Sequence, residues 1–159
     1  MPVYNLEFQI QIQASPQVVY EHLSDPHNFV GLQPLLTYVD HVAFGEQDGK
    51  RTVSYETVEA FRAFGIVLYR NRIRVQTVFT DPPRQYHTRV HSFPNITLNV
   101  EYTFTPQAEG VLVRETMQIQ VHAWLKGFVL RQAAQAQITL LANLKKRLEN
   151  GSYTKQTDI

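Results

Sequence analysis

Residues 124–149 contain no proline and a single early glycine, and are rich in Ala, Leu, Gln and Lys. Such a stretch forms one long helix. At 100° per residue Leu125, Val129, Ala133, Ala136, Leu140 and Leu144 fall within one stripe, with Gln132 and Gln137 at its margins. The region before it is of a different kind. Turn signals at Gly45–Gly49, Asp81–Pro83, Phe93–Asn95 and Pro106–Gly110, with a further break at Ala63–Gly65, cut it into strand-like runs. These runs are 37–44, 51–62, 66–80, 85–92, 96–105 and 111–122. Short turns between long strands imply an antiparallel meander. Its apolar face must be covered, and the last helix is the element long enough to do so.

The first strand is legible by strict alternation. Tyr4, Leu6, Phe8, Ile10 and Ile12 face one way, and Asn5, Glu7, Gln9, Gln11 and Gln13 the other. Ser15-Pro16 then caps a helix over 16–24. Asp25-Pro26 ends it, and 26–35 reads as a second short helix carrying Phe29, Leu32 and Leu35. The expected fold class is therefore α+β: a curved antiparallel sheet of six to seven strands wrapped around a long C-terminal helix, with two short helices after the first strand. One domain over 1–151 and a flexible polar tail over 152–159 are expected.

Composition removes several function classes. With 43% hydrophobic and 18% charged residues the chain buries a core instead of staying disordered. A net charge of +1 argues for neither a polyanionic nor a cationic partner, DNA included. There is no cysteine, so disulfides, thiolate metal sites and a cysteine nucleophile are excluded. The N-terminus has neither a basic start nor an apolar run, and no stretch reaches the roughly 20 apolar residues that cross a bilayer. A cytoplasmic location is the expectation.

The element order, with Ser15-Pro16-Gln17-Val18-Val19-Tyr20-Glu21-His22-Leu23-Ser24-Asp25-Pro26 after the first strand and an aromatic at Phe29, resembles the START/Bet v 1-like (SRPBCC) superfamily, in particular its polyketide cyclase/dehydrase and coenzyme-Q-binding branches. The resemblance in element order covers nearly the whole chain, and the matching motif is structural. It implies a helix-grip fold whose cavity, between sheet and C-terminal helix, holds a hydrophobic ligand. Most relatives bind; a minority catalyse.

The strand parities point to a pocket independently. Tyr55, Thr57, Glu59, Tyr69, Asn71, Thr88, Tyr102 and Glu115 share parities otherwise held by aliphatic residues. An apolar pocket with a few placed polar groups has this composition. On the helix, Ala133 and Ala136 are small where Leu140 and Leu144 are large. This predicts an open cavity beside 125–137 and a closed core beside 140–148. The expected lining is Phe29, Leu32, Tyr55, Thr57, Tyr69, Asn71, Tyr102, Glu115, Val129, Gln132, Ala133 and Ala136.

Glu115 stands out. If it faces the pocket, burial raises its pKa; otherwise a strand twist turns it outward or an arginine pairs with it. Glu59 is placed nearer the rim. Three functions follow: carriage or sensing of a small hydrophobic ligand such as a lipid, quinone or polyketide; cyclase/dehydratase-type chemistry using Glu115 with Tyr55 or Tyr69 as acid and base; or docking of a protein or RNA on the strand face that carries Arg70, Arg72 and Arg74.

No cofactor is expected. His87 and His91 are four residues apart on a strand, about 13 Å, too far to share one ion held at about 2 Å. No phosphate-binding glycine loop, dinucleotide fingerprint or nucleophile elbow is present. Trp124 reads as a packing anchor. Oligomeric state is not legible.

Overall fold

The computed structural model describes residues 1–63 and 65–150, with 61–63, 68 and 69 described in backbone alone. The expected tail at 152–159 lies outside the described residues. Seven strands form one antiparallel sheet: β1 (Val3–Ile12), β2 (Leu36–Gln47), β3 (Lys50–Ala63), β4 (Ile66–Asp81), β5 (Gln85–Ser92), β6 (Ile96–Gln107) and β7 (Gly110–Gln120). The spatial order is β1-β7-β6-β5-β4-β3-β2. Thus β2 to β7 form the meander that the turns imply, and β1 joins its far edge by pairing with β7 from Val3↔Gln120 to Ile12↔Val111.

Helix α1 (Pro16–Ser24) starts where Ser15 accepts a hydrogen bond from the Val18 amide at 3.2 Å. The expected second helix over 26–35 shrinks to a 3₁₀ turn at Pro26–Phe29. Gly31, at φ +85°, leaves the helical region, and Gln33 turns its side chain back to accept from the Leu35 and Leu36 amides at 2.7 and 2.9 Å. Competition of that kind between side chain and backbone breaks a helix. The β2–β3 turn is also tighter than expected. Gly45 lies inside β2, and Asp48 and Gly49, at φ +52° and +77°, form a two-residue hairpin turn.

The long helix α2 (Lys126–Glu149) follows a 3₁₀ turn at Ala123–Leu125 and crosses the concave face of the sheet. Its buried residues are Leu140, Leu141 and Leu144, all in its second half. That half is also tied by polar contacts. Arg147 donates to the carbonyls of Asn28 (2.7 Å) and Val30 (3.1 Å), and Asn143 to that of Leu32 (2.8 Å). Lys145 donates to the Gln11 carbonyl, and Glu149 accepts from the Gln13 amide, each at 2.8 Å. Arg147 also lies 3.1 Å from the Nε2 of His22, whose imidazole burial and this guanidinium hold down at about 4.

Beyond α1 the same end of the sheet is filled by rings. Tyr20, Phe79, Tyr86, Tyr102 and Phe104 contact one another with centroids 4.9 to 6.4 Å apart. Tilted and edge-on contacts dominate, as ring quadrupoles favour. Trp124, expected as a packing anchor, is 78% exposed, because the 3₁₀ turn points it away from the sheet.

Gly110 is required where β7 meets the end of β1. Its φ is +128°, and a Cβ there would lie 2.1 Å from the Ile12 carbonyl oxygen. Backbone strain and a clash with backbone then coincide. Gly110→Ala is expected to cost about 2 kcal/mol or more, read as a lowered midpoint in urea unfolding. An unchanged midpoint would show that the β1–β7 edge yields.

Candidate functional site

The unburied first half of α2 leaves a cavity of about 670 Å³ against the sheet. Its wall is mainly aliphatic and aromatic: Leu23, Ile73, Val75, Val90, Leu98, Val100, Met117 and Val129 are among its residues. Phe93, 69% exposed, and Phe128, 55% exposed, flank its open side, and the ring cluster around Tyr86 and Tyr102 closes the other. Small residues supply part of the volume, since Ala133 and Ala136 are among the helix positions facing it.

Ten of the twelve residues expected from the sequence lie on this wall: Phe29, Tyr55, Thr57, Asn71, Tyr102, Glu115, Val129, Gln132, Ala133 and Ala136. Leu32 does not. It is wholly buried beside α2, with its carbonyl held by Asn143, because the chain after Phe29 turns under the helix end instead of continuing as a helix. The side chain of Tyr69 lies outside the described residues. Glu59, expected near the rim, also lines the wall; Gln33 donates to it at 2.8 Å, and burial raises its pKa. Near it Asn71 donates to Ser92 at 2.8 Å.

Glu115 is fully buried. Cross-strand register sets its neighbours: Tyr86 pairs with Tyr102, Tyr102 with Glu115, and Glu115 with Phe8, one row across β5, β6, β7 and β1. Burial pushes its carboxyl up to about 8, and a hydrogen bond from Tyr102 opposes the rise. The carboxamide of Gln137 reaches the same group from α2, 3.1 and 3.2 Å from the two carboxyl oxygens. With Nε2 turned inward it donates to an ionised Glu115; with Oε1 inward it accepts from a protonated one. Among the described residues no arginine pairs with Glu115, and the twist of β7 does not turn it outward.

The tyrosine that meets Glu115 is therefore Tyr102, where Tyr55 or Tyr69 was expected. Tyr55 instead hydrogen-bonds Thr77, whose hydroxyl lies 2.9 Å from that of Thr88, and burial raises its pKa. Tyr86 and Gln137 are among the wall residues that the sequence reading did not name as site members. Tyr86 sits on the same parity as Thr88, and Gln137 lay at the margin of the helix stripe; both signals were visible but not specific.

The arginine stripe lies on the opposite, wet face. Arg72 pairs with Glu56 at 2.6 Å and Arg114 with Glu7 at 2.7 Å. Among the described residues no three His, Asp or Glu gather as a metal site. No described helix is long and apolar enough to cross a membrane.

The raised carboxyl of Glu115 has a definite effect on stability. The native state keeps a proton that the unfolded chain, with an ordinary carboxyl near 4.5, releases. Stability from this group is full below 4.5 and falls as pH rises toward about 8. Urea unfolding of wild type against Glu115→Gln should show the wild type losing stability relative to the variant across that window and levelling above it. A difference independent of pH would place the carboxyl in contact with water.

The family model described as polyketide cyclase/dehydrase and lipid transport matches residues 5–149. No curated protein matches the sequence. Among solved structures, TTHA0849 from Thermus thermophilus is 18% identical, with a TM-score of 0.69 over 96% of this chain and 100% of that one. The di-domain ARO/CYC StfQ from the steffimycin biosynthetic pathway is 12% identical, with a TM-score of 0.70; 94% of this chain covers 52% of it. A START superfamily protein from Mycobacterium smegmatis is 13% identical, with a TM-score of 0.68 over 92% of this chain and 97% of that one. These likenesses show the fold, the helix-grip arrangement of START and Bet v 1-like proteins. The family model spans nearly the whole of the sheet and α2, and the chain belongs to the polyketide cyclase/dehydrase and lipid transport family.

Proposed function

We propose that this protein binds a small, largely apolar molecule of lipid, quinone or polyketide type in the cavity between sheet and α2, carrying or sensing it in the cytoplasm. The observation that carries this reading is the hollow itself. About 670 Å³ lies open beside α2 where a solid core would place leucines, and that volume is in the range of small-molecule sites. Interiors are otherwise close-packed, so an apolar hollow of this size forfeits contacts that a ligand restores. The surface the wall presents is mostly apolar, which suits recognition of a mostly hydrocarbon body.

A second reading is favoured by Glu115. A carboxyl that holds its proton up to about pH 8 donates to a carbonyl oxygen and, once ionised, accepts a proton from the carbon beside it. Tyr102, bonded to the same carboxyl, would steady the developing charge. This is the acid–base pair of a cyclase or dehydratase. Docking on the basic strand face has less support, since Arg72 and Arg114 are engaged by Glu56 and Glu7.

Pyrene, an uncharged fluorescent hydrocarbon, tests the first reading. It should bind saturably with one molecule per chain. The double change Ala133→Leu, Ala136→Leu fills the hollow from the helix side and should weaken binding by at least about tenfold, with the circular dichroism spectrum of the fold retained. Binding that survives in a folded double variant would place the site elsewhere. Turnover that persists in Glu115→Gln, once a substrate is in hand, would remove the second reading.

A further inference from the structure

The open end of the cavity holds two hydrogen-bond acceptors that the described residues leave unmet. Glu59 and Asn71 stand directly opposite each other on β3 and β4, and both line the cavity. Side chains paired in this way lie within about 5.5 Å at Cβ. Their neighbours fix what each presents. Gln33 accepts from the Leu35 and Leu36 amides through Oε1, so its Nε2 is the atom that faces Glu59 and donates to one carboxyl oxygen. Asn71 donates through Nδ2 to Ser92, whose own proton goes to the Phe93 carbonyl at 3.4 Å. Glu59 Oε2 and Asn71 Oδ1 are then left without a donor among the described residues. Both atoms remain accessible.

Charge narrows the class of partner. The described lining carries two carboxyls, Glu59 and Glu115, and no Lys, Arg or His. Glu115 sits at the closed end against Tyr102, and Glu59 sits toward Ser92 and Phe93 at the open side. A carboxylate brought to Glu59 would meet like charge. A hydroxyl has one proton for two acceptors and no charge to oppose the carboxylate. An ammonium has three protons, needs no acceptor and carries the opposite charge. It also favours the ionised carboxyl, which burial by itself disfavours.

We infer that the ligand is an amine: its ammonium sits at the open end between Glu59 and Asn71, and its apolar body reaches inward beside Ala133 and Ala136. This rests on the ligand-binding reading above and specifies the class of molecule for that site.

A pyrene series on one skeleton tests it: pyrene, pyrenylmethanol, pyrenylmethylamine and pyrene carboxylate. They are titrated by fluorescence at about pH 7, where the amine keeps its proton. Pyrenylmethylamine should bind at least about tenfold more tightly than pyrenylmethanol, the worth of a hydrogen bond between charged groups. Pyrene carboxylate should bind most weakly. Glu59→Gln keeps the shape and removes the charge, and there the ratio of amine to alcohol affinity should fall below about threefold. Should that variant fail to fold, Glu115→Gln takes its place: the ratio should persist, and its loss would put the ammonium at the closed end and overturn the inference. Equal binding of amine and alcohol, a carboxylate that binds best, or a ratio that survives Glu59→Gln each overturns it as well, while pyrene still bound leaves the ligand-binding reading standing. If no member of the series binds, both fall.

Discussion

The second half of α2 is packed more deeply than the first, and the shape of the cavity follows from that asymmetry. Leu140, Leu141 and Leu144 are buried against the sheet, and Arg147, Asn143, Lys145 and Glu149 hold backbone groups of β1 and of the turns after α1. The first half of the helix has no buried residue. At its start the ammonium of Lys126 sits 4.7 Å over the ring of Tyr4. A rigid rod pinned at one end over a concave sheet leaves a wedge of space under the other. The alanines at 133 and 136 keep that wedge open.

The closed end gains its polarity at a cost in stability. Glu115, Tyr102 and Tyr86 stand in one cross-strand row beside the aromatic cluster, removed from water. Desolvation disfavours the charged carboxyl, and the hydrogen bond from Tyr102 offsets only part of this, so the proton stays on up to about pH 8. An aliphatic residue at 115 would pack there without such a penalty. A polar group kept against that penalty is a candidate for function rather than architecture.

Particular residues show how much of this was legible beforehand. The alternation in 4–12 and the Ser15-Pro16 cap announced β1 and α1 directly, because side-chain period and capping chemistry are local. The stripe on α2 told apart its two halves. The second short helix stands at Pro26–Phe29 but stops short of 35 because Gly31 and the Gln33 side chain redirect the backbone, and Leu32 left the wall with it. Trp124 was misplaced because a single 3₁₀ turn decides its direction.

Parity in the sequence determined that Glu115, Tyr102 and Tyr55 share the inner face, and helix spacing determined that small residues face them. Both depend only on distances along the chain. Which tyrosine meets the glutamate was decided by register, since Tyr102↔Glu115 and Tyr86↔Tyr102 pair residues on separate strands. That Gln137 closes over the carboxyl was decided by where the pinned helix crosses the sheet. A period of two says which face a side chain takes; only the pairing of strands and the docking of α2 say what stands beside it.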